Sequence, residues 1–408
     1  MTEPHSTAPR RRAAIVFIFV TVVLDMLALG MILPVLPKLV VTFMGGDTAR
    51  AAGIYALFST VWSLMQFLFA PILGALSDRF GRRPVVLISN FGLGFDYILM
   101  ALAPTVAWLF VGRVISGITA ASFSTAGAYI ADVTPPEKRA AGFGLVGAAF
   151  GLGFVLGPAL GGLLGSLGPR VPFWVAAGLS LLNATYGLFI LPESLPPERR
   201  AGFSWRRANP LGSLHLLRSH PELFGLAAVI FLAAIAHEAL PSTFVLYAIH
   251  RYAWDARTIG LTLAGVGVFS MVVSGGLVRP IVSTFGDRRT LFAGLFFGAA
   301  GFAIYGIAET GTVFWIGIPV MSLWAISDPA AQGLMTRRVS ESEQGQLQGA
   351  ASSLKGIAWL LGAGLFPLTF AHFIGPGRDW HLPGAPFLLG ALFLLSAMVL
   401  AWRVTRPR

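Results

Sequence analysis

The chain consists mainly of long apolar runs that are separated by short polar segments. A helix needs about 20 residues to cross the hydrocarbon core of a bilayer. About twelve runs reach that length, and we predict that each forms a membrane-spanning helix. They lie near residues 13–33, 52–76, 84–103, 106–131, 140–165, 171–191, 222–248, 258–283, 289–309, 312–336, 346–371 and 384–403. The pattern therefore predicts an all-α membrane protein.

The polar segment at residues 192–221 differs from the other connections in length and composition. It holds Pro192, Glu193, Pro196, Pro197, Glu198, Arg199 and Arg200, and it lies close to the middle of the chain. We therefore predict a first six-helix lobe at residues 1–191, a cytoplasmic linker at residues 192–221 and a second six-helix lobe at residues 222–408.

A weak internal repeat supports the two lobes. The sequence Phe80-Gly81-Arg82-Arg83 recurs as Phe285-Gly286-Asp287-Arg288-Arg289, and the two glycines are 205 residues apart. Glu137 is matched by Glu341 at nearly the same separation. Parallel repeats related by an axis along the membrane normal are typical of some secondary transporters.

Lys and Arg residues are distributed unevenly between the two sets of loops. With the N-terminus placed in the cytoplasm, most of the 29 Lys and Arg residues fall in cytoplasmic segments. The outside segments hold only Lys38, Arg50, Arg170, Arg251, Arg257 and Arg378, and the spans hold Arg113, Arg279 and Lys355. Since positive residues favour the cytoplasmic side, we expect both termini to be cytoplasmic.

Composition agrees with a membrane protein. The 408 residues are 55% hydrophobic and 12% charged, with a mean hydropathy of +0.75, whereas about 25% of the residues of a soluble protein are charged. The net charge of +11 comes largely from the cytoplasmic loops, so it does not indicate nucleic-acid binding. The chain has no cysteine, which excludes disulfides and cysteine-based metal sites. The first apolar run is too long for a signal peptide, so we interpret it as a retained helix.

A short polar motif, Gly74-Ala75-Leu76-Ser77-Asp78-Arg79-Phe80-Gly81-Arg82-Arg83, separates the second and third predicted spans. It resembles the loop between helices two and three of major facilitator superfamily transporters. The resemblance implies a major facilitator fold with about twelve helices in two pseudo-symmetric lobes, and a gate on the cytoplasmic side. The gating residues that it implies are Gly74, Asp78, Arg79, Gly81, Arg82 and Arg83, together with Asp132 at the end of the fourth span. The alternative interpretation is an ordinary basic loop.

Glycines recur along the fifth predicted span, many of them four residues apart. The most regular set is Gly153, Gly157 and Gly161, with Pro158 after the second. Such a stripe lets two helices pack backbone to backbone in lipid, and the Gly-Pro step allows a bend. The block from residue 151 to 162 resembles the fifth-helix motif of the drug–proton antiporter branch. The alternative is tight packing without a role in antiport.

Three charged residues lie inside predicted spans of the first lobe, namely Asp25, Asp96 and Arg113. Charge is costly within a bilayer, so such residues usually serve a transport pathway or an ion pair. Burial favours the protonated form of a carboxyl group and a nearby cation favours the charged form, so a proton and a substrate would compete for it. We expect Asp25 and Asp96 to couple proton and substrate, and Arg113 to face a cavity or a partner. A static pair with a neighbouring helix is the alternative for the acids, and a helix-end contact is the alternative for Arg113.

Several motifs are similar to those of the Tet-type tetracycline efflux proteins, and the resemblance runs along the whole chain. They are the Asp-x-x-x-x-Gly-x-x-x-Pro-x-x-Pro pattern from Asp25, Asp96-Tyr97, Ser116-Gly117-Ile118-Thr119, Ile130-Ala131-Asp132, and Glu343-Gln344-Gly345-Gln346-Leu347-Gln348-Gly349. The resemblance implies that Asp25 and Asp96 correspond to the essential membrane acids of that group. It also implies that Arg113 takes part in proton coupling.

The second half departs from the Tet-type pattern. Gly298 stands where the resemblance implies an essential acid in helix nine, and Ser270 and Ser274 stand where it implies a histidine and a glutamine. At these positions the resemblance therefore does not by itself predict the recognition of a metal–tetracycline complex.

Other charged and titratable residues occur in the spans of this half, at His237, Glu238, Asp328 and Lys355. We expect Glu238 to replace the missing acid, His237 to relay protons, and Lys355 to pair with Asp328 or Glu238. The alternatives are a packing role for His237 and a helix break at Asp328. A metal site is not expected, because no second histidine lies at helical spacing from His237.

These patterns predict proton-coupled efflux of an amphipathic, tetracycline-like drug by alternating access. The alternatives are a broader multidrug or metabolite transporter of the same fold and a non-transporting receptor or scaffold. We do not expect an enzyme, because no nucleophile–base set is evident, nor a cofactor beyond the proton gradient and a divalent cation bound with the substrate. The expected partners are a small-molecule drug, protons and the lipid bilayer. We expect a monomer in the bacterial inner membrane.

Overall fold

The computed structural model of the protein describes residues 7–119, 122–134, 139–205, 208–340 and 343–406. All regular secondary structure in these ranges is helical. Glu137 and Glu341 of the internal repeat lie outside them. So do the basic residues Lys138, Arg206, Arg207 and Arg408, which belong to the cytoplasmic segments counted above, and the side chains of Arg10, Arg11, Arg12 and Arg139 are also not described.

Seventeen α-helices follow one another in the described residues. Those before the linker are α1 (Thr7–Ile32), α2 (Leu36–Phe43), α3 (Thr48–Phe80), α4 (Arg82–Leu102), α5 (Val106–Thr119), α6 (Ser122–Val133), α7 (Arg139–Leu167) and α8 (Val171–Ile190). Those after it are α9 (His215–Ser219), α10 (Phe224–His237), α11 (Ala239–Tyr252), α12 (Ala256–Val272), α13 (Val278–Ile307), α14 (Gly311–Ser322), α15 (Ser327–Thr336), α16 (Gln344–Ile374) and α17 (Ala385–Val404).

Ten helical stretches in the described residues are long and apolar enough to cross a membrane. The longest, Ala256–Ile307, has 52 residues and covers two predicted spans. Gly286, which has a left-handed φ of 74°, breaks the helix between them. The predicted fourth span is divided into α5, which is apolar but shorter, and α6. The chain is therefore a multi-pass membrane protein.

The structure divides into two compact units. The first comprises the chain up to Val35 and Leu64–Asn209, and the second comprises Leu36–Ser63 and Pro210–Arg408. Residues 36–63, which belong to α2 and the first half of α3, are thus grouped with the second unit. The lobe boundaries drawn from the sequence stay a prediction.

Within the described residues, four spans contain irregular backbone. The first is interrupted at residues 33–35, the seventh at Glu238, the eighth by a π-helical turn at Val273–Leu277 and the tenth by a 3-10 turn at Leu323–Ile326. Irregular backbone at membrane depth is tolerated where protein or water, not lipid, satisfies the freed polar groups. These breaks therefore mark parts of the spans that face other helices or a hydrated region.

In the first unit, the glycine stripe of α7 packs directly against the backbone of α1. A methyl group built at Gly157 would lie 2.7 Å from the Cα of Gly30, and one at Gly161 would overlap the backbone of Met31. One at Gly153 would overlap Met26, the residue after Asp25. The stripe thus brings the backbones of α7 and α1 into direct contact, and it sets the position of the part of α1 that carries Asp25.

We expect Gly157→Leu to destabilise the protein by about 1–3 kcal/mol or more, because a larger side chain would force α1 and α7 apart. The matched control is Gly147→Leu on the same helix, where a methyl group would meet nothing within 4 Å. Thermal unfolding of the purified protein in detergent measures the difference. Equal stability of the two variants would contradict the packing role of the stripe.

Candidate functional site

Asp25 is buried in the first unit and is held by a neutral amide. The Asn183 Nδ2 group on α8 donates to Asp25 Oδ1 at 3.1 Å, and the Thr21 hydroxyl donates to Asn183 Oδ1 at 3.2 Å. No cation forms an ion pair with Asp25 among the described residues. Sequence reasoning missed Asn183, although a buried amide in the apolar sixth span was a detectable signal.

Asp96 on α4 is 1% exposed, and neither of its carboxylate oxygens has a hydrogen-bond partner in the described protein. Arg113 on α5 is also buried, and its Nη2 donates only to Met100 Sδ, at 3.6 Å. A methyl group at Gly112 would lie 2.9 Å from Asp96 Oδ1, so α5 passes close to this carboxylate. Asp96 is therefore enclosed by the unit without a direct partner, in a place where an uncompensated charge is costly.

The polar motif between spans two and three is more helical than predicted. We expected the second span to end near residue 76, but α3 continues to Phe80 and α4 begins at Arg82. Only Gly81 leaves the helical region, with a φ of 105°. Within α3, the Ser77 hydroxyl donates to the Gly74 carbonyl at 2.7 Å. A methyl group at Gly74 would meet nothing within 4 Å, so this glycine does not mark a close approach.

Arg82 is the centre of an ion-pair cluster at this end of the first unit. Its guanidinium pairs with Asp78 at 2.5 Å and with Asp132 of α6 at 3.1 Å, and it donates to the Ser77 hydroxyl at 2.6 Å. Asp78 thus pairs with Arg82 and not with Arg79, which is exposed and lies 5.1 Å above the Phe80 ring. The cluster ties α3, α4 and α6 together.

Glu193 joins the same region, although sequence reasoning treated it only as part of the linker. Its carboxylate accepts from the backbone N–H groups of Arg82 at 2.8 Å and of Arg83 at 3.3 Å. Arg83 also donates to the Leu188 carbonyl at 2.6 Å. An acid at the N-terminus of a helix satisfies free N–H groups and complements the helix dipole. A side chain at Gly81 would collide with Glu193.

The second unit contains an ion pair at equivalent positions with the charges exchanged. Asp287 follows Gly286 as Arg82 follows Gly81, and it pairs with Arg337 at 2.8 Å. Arg82 and Asp287 are 205 residues apart, and so are Asp132 and Arg337. The interaction between the start of a span and the end of the following one is therefore present in both units with opposite polarity.

Lys355 in the second unit pairs with Asp328, one of the two partners expected for it. The Nζ–Oδ1 distance is 2.7 Å, and Gln332 Nε2 donates to the other oxygen of Asp328 at 2.8 Å. The Asp328 side chain is 49% exposed and that of Lys355 is 23% exposed. Asp328 lies in the first turn of α15, after the 3-10 turn, so it is near a helix break and also in an ion pair.

His237 and Glu238 lie where the seventh span is interrupted. The His237 ring is 5.7 Å from the Trp324 ring, centroid to centroid. A methyl group at Gly362 of α16 would lie 2.6 Å from Glu238 Cβ, so α16 packs against the stem of this side chain. Among the described residues, no hydrogen bond or ion pair involves the Glu238 carboxylate, since Lys355 is engaged by Asp328.

Gly298, the position of the missing helix-nine acid, is a packing position. A methyl group there would lie 2.8 Å from both Trp324 Cγ and Leu394 Cδ1. A carboxylate would not fit without displacing the indole. The local structure thus excludes an acid at this place.

A histidine outside the spans is held by two carboxylates. His220 Nδ1 lies 2.8 Å from Glu222 Oε1, and Nε2 lies 3.0 Å from Glu343 Oε1. Both nitrogens must donate in this arrangement, which requires the imidazolium form. The hydrogen bond with Glu343 is the main cause that raises the pKa of His220 above 6.5. A hydrogen bond from Ser340 is the main cause that lowers the pKa of Glu343 to about 2.

In the described part of the chain, no group of three or more His, Asp and Glu side chains is arranged to hold a metal ion.

Comparisons with known proteins place these features in context. The model of the Major Facilitator Superfamily matches residues 18–363. The chain is 38% identical to the class C tetracycline resistance protein of Escherichia coli, over 94% of this chain and 95% of that protein. It is 35% identical to the class D protein of Salmonella ordonez, over 97% and 98%. The crystal structure of the human organic anion transporter MFSD10 (TETRAN) aligns with a TM-score of 0.69 at 25% identity, covering 98% of this chain and 100% of that one.

We expect the second-unit ion pair to tolerate exchange of its charges. Arg337→Asp should destabilise the protein, because it places a second acid beside the buried Asp287. The double variant Asp287→Arg/Arg337→Asp recreates the polarity of the first unit and should recover about 1 kcal/mol relative to additive effects. A double-mutant cycle on chemical unfolding measures this coupling. Purely additive effects would show that the pairing does not stabilise the unit.

We also expect the His220 cluster to make stability depend on pH. The folded state raises the pKa of His220, so its contribution is complete below pH 6.5 and is lost as the pH rises through the raised value. The melting temperature should therefore fall more between about pH 6 and pH 9 for the parent than for His220→Gln. His215→Gln, which changes a histidine outside the cluster, should behave like the parent. Parallel curves for the parent and His220→Gln would rule out the contribution.

Proposed function

Because the chain belongs to the Major Facilitator Superfamily, and within it to the tetracycline resistance proteins, we propose that it exports a tetracycline-class drug in exchange for protons. The family consists of membrane transporters, so the chain is a transporter and not an enzyme. Its substrate is therefore a small molecule that crosses the membrane in which the helices are embedded.

The observation that carries the proposal is the state of the two buried acids of the first unit. Asp25 has only a neutral amide beside it, and Asp96 has no hydrogen-bond partner among the described residues. An ionised carboxylate without a partner is costly inside the bilayer, and the cost disappears when the group carries a proton or meets a cation. Each acid is thus suited to hold either a proton or a positively charged part of a drug.

Exchange follows because the proton and the drug compete for the same carboxylate. A drug that enters from the cytoplasm releases a proton from Asp25 or Asp96, and a proton from outside later displaces the drug. Arg113 follows Gly112, where α5 passes close to the Asp96 carboxylate, so its positive charge lowers the cost of the exchange once the proton has left. Glu238 and His237 are the corresponding candidates in the second unit.

The remaining parts of the site support this exchange mechanically. The cluster of Asp78, Arg82 and Asp132 and the cap by Glu193 hold the ends of α3, α4 and α6 together at the proposed cytoplasmic gate. The glycine stripe of α7 keeps α1 in place. We further propose a monomer in the bacterial inner membrane with both termini in the cytoplasm. The proton gradient supplies the energy without a bound cofactor, and a divalent cation enters only together with the drug.

We expect Asp25→Asn to abolish proton-driven tetracycline efflux, because the amide cannot exchange a proton. The variant should still fold, since an asparagine can keep the hydrogen bond with Asn183. Uptake of tetracycline into inverted vesicles, with and without a proton gradient, measures the effect. Asp379→Asn, which changes an acid with a side chain that is 93% exposed, is the control and should transport normally. Normal gradient-driven transport by folded Asp25→Asn would overturn the mechanism.

A further inference from the structure

One carboxylate in the spans of the second unit, that of Glu238, has no charged partner among the described residues. Lys355 is paired with Asp328 at 2.7 Å, and Gln332 occupies the second oxygen of Asp328. Lys355, which the sequence offered as a partner for either Asp328 or Glu238, is thus already neutralised. The set of Glu238, Asp328 and Lys355 thus holds two acids and one cation, and no described residue forms an ion pair with Glu238.

Glu238 is placed where a ligand group would meet it. It lies near the middle of the span Pro221–Tyr252, at the junction of α10 and α11. Its backbone carbonyl accepts from the Ser242 hydroxyl at 2.5 Å, while its carboxylate has no such bond among the described residues. The close approach of Gly362 on α16 fixes the stem of the side chain. The side chain is therefore fixed in position, while its carboxylate has no hydrogen-bond partner among the described residues.

Two tryptophans lie on elements that adjoin the His237–Glu238 break. Trp324 contacts the neighbouring His237 and lies half-buried in the 3-10 turn of the tenth span. Trp359 is 42% exposed and lies on α16 between Lys355 and Gly362, at spacings that place all three on one side of that helix. Indole faces attract organic cations, most strongly when the contact excludes water.

The same side of the unit is hydrated. An ion pair as exposed as that of Asp328 and Lys355 would be costly against lipid in the interior of two spans. Its exposure therefore indicates contact with water, and a polar substrate group can approach Glu238 from there.

We propose that Glu238, with Trp324 and Trp359 on the elements next to it, binds the ammonium group of an organic cation, so that planar amphipathic amines are substrates of this transporter. The proposal rests on the function proposed above and specifies the class of drug. It also accounts for the absence of the helix-nine acid, because Trp324 fills that position and the negative charge is carried by the seventh span instead.

The test is a direct binding titration with ethidium, a permanent planar cation, on the purified full-length protein in detergent. Glu238→Gln should weaken binding by at least about tenfold, because it removes the charge and keeps the shape. Glu238→Asp should retain part of the affinity, and Trp359→Ala should weaken binding with the charge intact. Glu309→Gln, which changes an exposed acid between α13 and α14, is the control and should bind like the parent.

Ethidium binding to Glu238→Gln with the affinity of the parent would overturn the inference, as would the absence of ethidium binding to the parent. The inference is also contradicted if Glu238→Gln loses proton-linked tetracycline transport but keeps its affinity for ethidium. In that case the Glu238 carboxylate binds only a proton. Should Glu238→Gln fail to fold, Glu238→Asp and Trp359→Ala decide alone, and parent-like affinity in both contradicts the site. Since binding needs no gradient, absence of proton-driven tetracycline flux would count against the proposed function and not against the cation site.

Discussion

The cost of placing charge inside a bilayer governs the arrangement of the polar residues in this protein. Lys355 meets the cost within the spans by pairing with Asp328. At the helix ends, Arg82 pairs with Asp78 and Asp132. Others remain without an opposite charge at ion-pair distance, as Asp25, Asp96 and Glu238 do among the described residues. The first group stabilises the fold and its helix ends. The second group is available to protons and cationic ligands, and for this reason the transport chemistry is expected there.

The unpaired acids are held by packing and not by charge. Asp25 lies on a part of α1 that is clamped against α7 by glycines on both helices. Glu238 extends from a helix break, and Gly362 allows α16 to support its stem. Small residues thus do in lipid what larger side chains do in a soluble core, since close backbone contact supplies the van der Waals attraction that replaces the hydrophobic effect. Positioning by such contacts leaves the carboxylates free to change their protonation state.

The two units share a local plan and differ in its chemistry. Gly81 and Gly286 both take up left-handed backbone conformations just before a span begins, and the following residue forms an ion pair with the end of the next span. The positive partner is Arg82 in one unit and Arg337 in the other. Electrostatic attraction depends on the product of the charges, so inversion of both signs preserves the pair. The cap by Glu193 and the additional acid Asp78 belong to the first unit, which makes the two clusters unequal in strength.

The sequence by itself determined the class of the protein and the approximate number of spans, although not the breaks within them. It also determined the polar motif at residues 74–83 and the acids at Asp25, Asp96 and Glu238. Those features follow from local properties, namely apolar length, charge within apolar runs, and residue types that few contexts permit. Only the tertiary structure decided which groups are paired. It assigned Asp78 to Arg82, Lys355 to Asp328, Asn183 to Asp25 and Glu193 to the start of α4, and it showed that Gly298 has no room for an acid. Pairing depends on which helices are neighbours and on their rotation about their axes. That information arises from contacts between residues far apart in the chain, and no local pattern contains it.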